Sequence, residues 1–189
     1  RYWLYYALQF MSGARRQIFV VFAGFLMVEK FNFTVAEISL LLIANAAINV
    51  VFAPKIGRLI QRFGERKSLI FEYVGLSLIF AGYAFVESSA FAVFLYIADH
   101  LLFSIAIALK TYFQKIADPA DIASSAGVSF TINHIAAVFI PVVFGLVWLY
   151  SPSLVFLAGS GMAIISLLLA FNMPANPASG NEVLLGKFS

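Results

Sequence analysis

The sequence predicts an all-α polytopic membrane protein with six transmembrane helices. Of its 189 residues, 62% are apolar and only 11% are charged, a balance far outside that of soluble domains. The few charges are mostly gathered between long apolar runs. A bilayer core of about 30 Å needs roughly 20 apolar residues in a helix. Six segments meet that need, at about 3–28, 35–53, 68–86, 90–112, 122–149 and 153–172.

Cap and turn residues mark where these segments begin and end. Thr34 and Glu37 form a capping-box pattern at the start of the second helix. Pro54 predicts the end of that helix, because proline lacks the backbone N–H that a helix interior needs. The later helices have similar start signals: Ser88 or Ser89 for the fourth, Asp118 and Pro119 for the fifth, and Ser151 and Pro152 for the sixth.

The predicted organisation is one membrane domain followed by a short tail. The membrane domain covers residues 1–173. Residues 174–189 are rich in Asn, Ala, Gly and Ser, which predicts a flexible cytoplasmic tail. The chain starts at Arg1, without an initiator Met or a cleavable signal pattern. We therefore expect a fragment or a processed piece of a longer protein.

The distribution of Lys and Arg predicts the orientation in the membrane. Six spans place both termini on one side, and basic residues beside apolar spans stay on the cytoplasmic side. With the termini in the cytoplasm, nine basic residues lie on that side and only Lys30 lies in the opposite loops. We therefore expect a bacterial inner (plasma) membrane protein with both termini cytoplasmic. The nine are Arg1, Lys55, Arg58, Arg62, Arg66, Lys67, Lys110, Lys115 and Lys187.

Composition excludes several other classes of function. The chain has no Cys, so it has neither a disulfide framework nor a thiolate metal site. Its net charge of +3 is gathered beside apolar spans, which indicates membrane topology rather than nucleic-acid binding. The sequence has no nucleophile–base spacing and no cluster of metal ligands, so we expect no enzyme activity, no cofactor and no metal.

The basic segment from Lys55 to Lys67 carries the clearest motif. It holds five of the twelve Lys and Arg residues. Read as Gly-x-x-x-Gln-Arg-x-Gly-x-Arg-Lys, it resembles the signature loop of the major facilitator superfamily of transporters, except that Gln61 replaces the family's Asp. The matching positions are Gly57, Arg62, Gly64, Arg66 and Lys67.

The resemblance implies half of a transporter fold. Members have two six-helix halves with the substrate site between them near the midplane, and each half consists of two inverted three-helix repeats, here 3–86 and 90–172. The missing Asp at Gln61 fits the more degenerate C-terminal half, helices seven to twelve. The implied partners are the lipid bilayer, a small-molecule substrate, and either an N-terminal six-helix half or a second copy of this chain.

Two arginines within the first span are the most informative residues for function. A charge near mid-membrane costs about 2.5–3.5 kcal/mol on insertion scales, so it needs a partner or a water-filled cavity. Helical spacing puts Gln9, Ser12, Gly13 and Arg16 on one face, and Arg15 about 100° away. We expect at least one of the two arginines to bind an anionic group of a substrate.

Other polar residues inside the spans extend the candidate site. Asp99 either neutralises an arginine in an ion pair that only fixes helix packing, or takes part in a proton relay. His100 and His134 are further candidate proton carriers, since imidazole titrates near physiological pH; the alternative is a hydrogen bond to a neighbouring helix. The candidate substrate-binding amides are Gln9, Asn45, Asn49 and Asn133, and for the asparagines interhelical hydrogen bonding is the alternative.

Three residues of the third helix are expected to have structural roles. Glu72 follows the basic segment by about one helical turn, and we expect an ion pair between the two. Gly75 and Gly82 share a face and should let neighbouring helices approach closely.

The predicted function is secondary active transport of a small solute by alternating access, with an anionic substrate and proton coupling as expected refinements. The alternative is a six-helix membrane scaffold or pore-forming homo-oligomer, in which the buried charges are structural ion pairs. The two hypotheses differ in whether the charges inside the membrane meet water.

Overall fold

The computed structural model describes residues 1–186; residues 187–189, the end of the predicted tail, lie outside the described residues. Within residues 1–186 the chain forms six long helices with short connections, and it contains no strand. The predicted all-α, six-helix membrane fold is therefore confirmed. The helices are α1 (Trp3–Phe31), α2 (Val35–Phe63), α3 (Glu65–Ala84), α4 (Ser89–Ile116), α5 (Pro119–Tyr150) and α6 (Pro152–Phe171).

Five of the helices found between residues 1 and 186 are long and apolar enough to cross a membrane. The exception is α3, which carries three charged residues in its first turn and Glu72 further along. Charges in a first turn lie near the membrane surface, where they are tolerated. Three of the described helices contain an irregular turn: α1 has a π-helical turn at Phe19–Ala23, α4 has a 3₁₀ turn at Ser104–Ala106, and α5 begins with a 3₁₀ turn at Pro119–Asp121.

The prediction that Pro54 ends the second helix is wrong. Proline removes one hydrogen bond and crowds the carbonyl four residues earlier, but the residues beyond it can continue the helix. α2 therefore runs through Pro54 to Phe63. The chain turns at Gly64 alone, whose φ of +82° favours glycine, and α3 begins at Glu65. Most of the basic segment is consequently helical rather than a loop.

The helices with predicted start signals begin beside those residues, and two of the caps form as expected. The Thr34 and Glu37 side chains and backbones make a reciprocal capping box. The Ser88 hydroxyl accepts a hydrogen bond from the Phe91 N–H at 3.5 Å. Asp118 and Ser151 precede their helices without a side-chain cap bond within the described chain, and each helix begins with a proline.

The same pattern of elements occurs twice, 87 residues apart. α2 and the α-helical part of α5, Ile122–Tyr150, are each 29 residues long, and each has a proline at its twentieth position, Pro54 and Pro141. α3 and α6 are each 20 residues long. The second triplet of helices is therefore a structural copy of the first.

Helix packing follows the same duplication. α1 packs against α5 and α6, whereas α4 packs against α2 and α3, and α3 packs along α6. Exchanging α1 with α4, α2 with α5 and α3 with α6 leaves these contacts unchanged. Because three crossings reverse the direction of the chain, the two copies point in opposite directions across the membrane. The fold is thus two inverted three-helix repeats.

Glycines allow the closest helix contacts. A Cβ atom at Gly75 would lie 2.4 Å from Leu102 Cδ1, and one at Gly82 would lie 3.1 Å from Leu95 Cδ2. Both contacts join α3 to α4 and confirm the predicted packing role. On α6, a Cβ atom at Gly159 would lie 2.9 Å from Phe80 Cδ1.

The two ends of the bundle are held by different polar contacts. At the Gly64 end, defined by the chain start, the Gly64 turn, the α4–α5 connection and the tail, Arg1 pairs with Asp118 and Glu182. At the opposite, Lys30 end, the Lys30 ammonium lies 2.9 Å from Glu87. The tail residues described, 174–186, lie against the Gly64 end, where the Tyr112 hydroxyl donates to the Glu182 carbonyl. Flexibility of the tail remains a prediction.

A polar layer divides the apolar core at mid-depth. One apolar cluster, with Leu8 and Leu69, lies toward the Gly64 end, and the other, with Ile18 and Phe80, lies toward the Lys30 end. Between them are three charged residues that are at most 1% exposed. They are Arg15 on α1, Glu72 on α3 and Asp99 on α4.

Candidate functional site

A cavity of about 800 Å³ lies between α1, α4 and α5. Its walls extend from mid-depth toward the Gly64 end, because its lining residues come from the first half of α1, the second half of α4 and the first half of α5. A volume of this size accommodates a small organic molecule. The cavity is therefore the candidate solute site.

The polar stripe of α1 forms one wall of this cavity. Gln9, Ser12, Gly13 and Arg16 all line it, which confirms that they share a face. Arg16 is exposed, and its guanidinium carbon lies 4.8 Å from the centre of the Phe103 ring on α4. Phe103 also lines the cavity, so the Arg16 cation lies at its inner wall.

The α5 wall contributes Asn133 and His134. A Cβ atom at Gly13 would lie 2.7 Å from the Asn133 side-chain oxygen, so glycine allows α1 and α5 to meet here. His134 is exposed on the cavity wall, and its Nδ1 lies 2.9 Å from the Phe130 carbonyl one turn earlier. The predicted residues Gln9, Arg16, Asn133 and His134 are therefore brought together in one cavity.

The electrostatic character of the cavity is positive. Two full cations, Arg16 and Lys110, are among the lining residues, and no Asp or Glu between residues 1 and 186 is among them. Lys110 was expected only as a topology signal and was missed as a site residue. Its position two turns after Phe103, on the same face of α4, is the sequence signal that identifies it.

Arg15 lies on the other side of α1, inside the domain. Its guanidinium carbon lies 4.6 Å from the centre of the Tyr73 ring, and its Nε donates to the Met11 carbonyl at 3.2 Å. It interacts electrostatically with both Glu72 and Asp99. Arg15 therefore does not reach the cavity, and the two adjacent arginines serve different environments.

The prediction that Glu72 pairs with the basic segment is wrong. The segment surrounds the Gly64 turn at one end of the bundle, whereas Glu72 is fully buried at mid-depth and faces Arg15. Among the described residues, neither terminal nitrogen of Arg15 and no carboxylate oxygen of Glu72 or Asp99 forms a hydrogen bond of good geometry, and no salt bridge joins the three. The three charges, one positive and two negative, thus attract or repel at a distance without direct pairing.

The remaining polar candidates lie outside the cavity. Asn45 is buried in α2, and neither atom of its amide has a partner among residues 1–186. Asn49 accepts a hydrogen bond from the Ser104 hydroxyl at 2.5 Å, which joins α2 to α4. His100 is half-buried, with its ring 6.3 Å from that of Phe19.

The signature residues surround the turn between α2 and α3. Gly57 and Gly64 line a second cavity of about 500 Å³, beside the ion pair of Glu65 with Lys115 at 2.7 Å. Arg66 donates to the Phe171 carbonyl at 3.0 Å, which joins α3 to the end of α6. Arg62 and Lys67 are exposed.

Comparisons with known proteins agree with this architecture. No curated protein and no solved structure matches the chain. The family model described as Major Facilitator Superfamily matches residues 5–186, which covers nearly the whole chain and all six helices. The protein therefore belongs to the Major Facilitator Superfamily of membrane transporters.

Proposed function

We propose that the protein is a secondary active transporter that moves a small organic anion by alternating access, coupled to protons. The observation that carries this proposal is the cavity with Arg16 at its inner wall and no acidic residue in the lining described. An arginine at mid-membrane binds carboxylate or phosphate groups in two parallel hydrogen bonds. Gln9 and Asn133 add neutral hydrogen-bond donors and acceptors to the cavity. Because the family consists of transporters, we infer that the cavity serves transport rather than catalysis.

The buried layer behind the cavity is the proposed coupling device. Asp99 and Glu72 share a single cation, Arg15, and the three side chains are buried without direct pairing among the described residues. A proton on one carboxylate would remove the excess negative charge, which is costly in a low-dielectric interior. Asp99 also interacts with Arg16, which links the buried layer to the cavity cation. His134, on the cavity wall, is a second candidate carrier, and His100 a third.

We also propose the orientation. Eight of the basic residues within 1–186 lie toward the Gly64 end, whereas only Lys30 lies at the opposite end. The positive-inside rule then makes the Gly64 end cytoplasmic, in a bacterial inner membrane. Because the cavity extends toward that end, the conformation described here would be inward-facing.

A partner half is part of the same proposal. α2 and α5 are the least buried of the five membrane-spanning helices described. Only 6% and 17%, respectively, of an 18-residue apolar stretch in each helix is buried within the chain. The cavity lies between α1, α4 and α5, and an opposing wall would enclose a bound solute. We infer that a six-helix N-terminal half, or a second copy of this chain, supplies that wall.

The direct test is solute exchange by the complete protein in liposomes. Labelled organic anions are presented to vesicles preloaded with the same anion to measure exchange, and to anion-free vesicles containing a pH-sensitive dye to measure proton movement during net uptake. We expect saturable exchange and solute-dependent proton movement. Arg16→Gln should lower exchange at least 10-fold, whereas Arg58→Gln, an exposed cation outside the cavity, should not. Asp99→Asn should keep exchange but lose proton movement.

The outcomes separate the competing functions. Wild-type exchange by the Arg16→Gln variant would show that the cavity cation does not bind the solute. An unsaturable ion leak without exchange would favour the pore-forming alternative. Single cysteines at positions 9 and 134, in this Cys-free chain, provide the matching accessibility test. Both should react with impermeant thiol reagents, and their reactivity should change when a transported anion is added.

A further inference from the structure

We propose that the cavity binds a solute with two anionic groups, one held by Arg16 and the other by Lys110. This inference deepens the proposed function and rests on it, since a protein that does not bind anions in this cavity cannot select dianions. It assigns Lys110 as a second binding residue that determines specificity.

The two cations lie at different depths of the same cavity. The Arg16 guanidinium is at the level of Phe103, which its carbon approaches to 4.8 Å. Lys110 follows Phe103 by seven residues on the same face of α4, which places their Cα atoms about 10 Å apart along the helix axis. The Arg16 charge is therefore deep, and the Lys110 charge lies nearer the Gly64 end.

The α4 wall between the two cations is apolar, whereas α1 contributes the polar side chains of Gln9 and Ser12 on the facing side. Ile107 lies between Phe103 and Lys110 on the cavity face of α4, and Phe130 lies opposite on α5. An elongated solute with charged ends and an apolar middle matches this order of cation, apolar wall and cation. Helical side chains lean toward the N-terminus of their own helix. Because α1 and α4 run in opposite directions, the two cations lean toward each other, so the pair suits anionic groups roughly 6–9 Å apart.

Neither cation forms a salt bridge with an acid among the described residues, and Asp99, which interacts with Arg16 at a distance, also faces Arg15. The salt bridges found within residues 1–186 use Arg1, Lys30 and Lys115, and the cavity lining described there includes no carboxylate. Two such cations facing one cavity repel each other, and an anionic group beside each of them removes that repulsion. A monoanion would compensate only one.

The test uses the purified complete protein in lipid nanodiscs and calorimetric binding of two matched series. One series is the linear α,ω-dicarboxylates from succinate to sebacate, and the other is the monocarboxylates of equal chain length. We expect an optimum at intermediate length, with the best dicarboxylate binding at least 10-fold tighter than its monocarboxylate. Lys110→Gln should remove this advantage by lowering dicarboxylate affinity far more than monocarboxylate affinity, and Lys110→Arg should retain it.

Two controls make the outcome decisive. Arg16→Gln should weaken both series, and Lys55→Gln, an exposed cation outside the cavity, should weaken neither. A dicarboxylate advantage that persists in Lys110→Gln, or equal affinity for both series in the wild type, would overturn the dianion inference and leave the proposed anion transport intact. If neither series nor any other organic anion binds the wild type, both proposals fail.

Discussion

Arg15 and Arg16 are adjacent in sequence but lie in opposite environments. Arg15 is 1% exposed and covers the Tyr73 ring inside the domain, whereas Arg16 is exposed in the cavity and covers the Phe103 ring. The 100° step of a helix separates them, so one cation lies in the core and the other lines the cavity. Substitutions at the two positions should therefore have different effects.

Removal of Arg15 should destabilise the domain. Arg15→Met keeps most of the volume but leaves Glu72 and Asp99 buried without a cation. Loss of one partner from a buried charged group costs about 3–5 kcal/mol. We expect a clear fall in the thermal unfolding midpoint in detergent, with little change for Lys67→Met, an exposed cation. Combining Arg15→Met with Glu72→Gln and Asp99→Asn should recover most of the loss, and failure to recover would mean that Arg15 acts by packing alone.

The two glycines of α6 should respond differently to alanine. A Cβ atom at Gly159 would lie 2.9 Å from Phe80 Cδ1, whereas one at Gly161 meets no atom within 4 Å among the described residues. Gly159→Ala forces the α3–α6 interface apart and should cost about 1–3 kcal/mol of unfolding free energy. Gly161→Ala should be neutral or stabilising by up to about 1 kcal/mol, because alanine favours a helix. Equal effects on unfolding would contradict the close contact at Gly159.

Substitutions at Asn45 and Asn49, which lie one turn apart on α2, should differ in their effect on stability. Asn49 accepts a hydrogen bond from Ser104 on α4, and Asn49→Ala should cost about 0.6–1.5 kcal/mol in a thermal or denaturant unfolding measurement. The Asn45 amide has no partner within residues 1–186, so Asn45→Ala should cost less. If Asn45→Ala instead abolishes solute exchange while the protein stays folded, the amide serves transport and not packing.

The contact between the tail and the Gly64 end should depend on pH. Burial alone would raise the pKa of Glu182, but hydrogen bonds from the Gly180 N–H and the Arg1 side chain bring its net pKa below the ordinary value of about 4.3. Because the native pKa is lowered, this stabilisation is fully present above the ordinary value and is lost as the pH falls through the native pKa. We expect amide protection in residues 178–184 to fall below about pH 4.

The matching control for that measurement is Glu182→Gln. This variant keeps the shape of the side chain but cannot ionise, so protection of residues 178–184 should be lower at neutral pH and lose most of its pH dependence. An unchanged pH profile in Glu182→Gln would show that Glu182 is not the titrating group behind the effect.

The sequence predicted the number of helices, the polar face of α1 and the packing role of Gly75 and Gly82, because each depends on local periodicity. Apolar runs of sufficient length leave little choice but a membrane helix. Likewise, residues three, four and seven apart must share one face whatever the helix packs against. The shared face of Gln9 and Arg16 in the cavity follows from this rule alone.

The errors arose where an outcome depends on neighbouring helices. Pro54 is a strong local stop signal, but the following residues continue the helix beyond it. The environment of Glu72 depends on where α1 places Arg15, and no pattern within α3 contains that information. The two inverted repeats were predicted from the family resemblance alone, because the copies share helix lengths and proline positions rather than residue identities.

Each of the matched prolines leaves one main-chain carbonyl without its helical N–H, and these carbonyls belong to Val50 and Ala137. Ala137 lines the cavity, and Val50 lies on the exposed side of α2. Such an oxygen inside a bilayer recruits water or a solute hydroxyl even when the surrounding side chains are apolar. α2 and α5, the two least buried helices, thus each carry one backbone carbonyl near mid-depth that can accept a hydrogen bond. The main chain therefore adds polar acceptors to helix faces whose side chains are apolar, a property that side-chain polarity alone does not reveal.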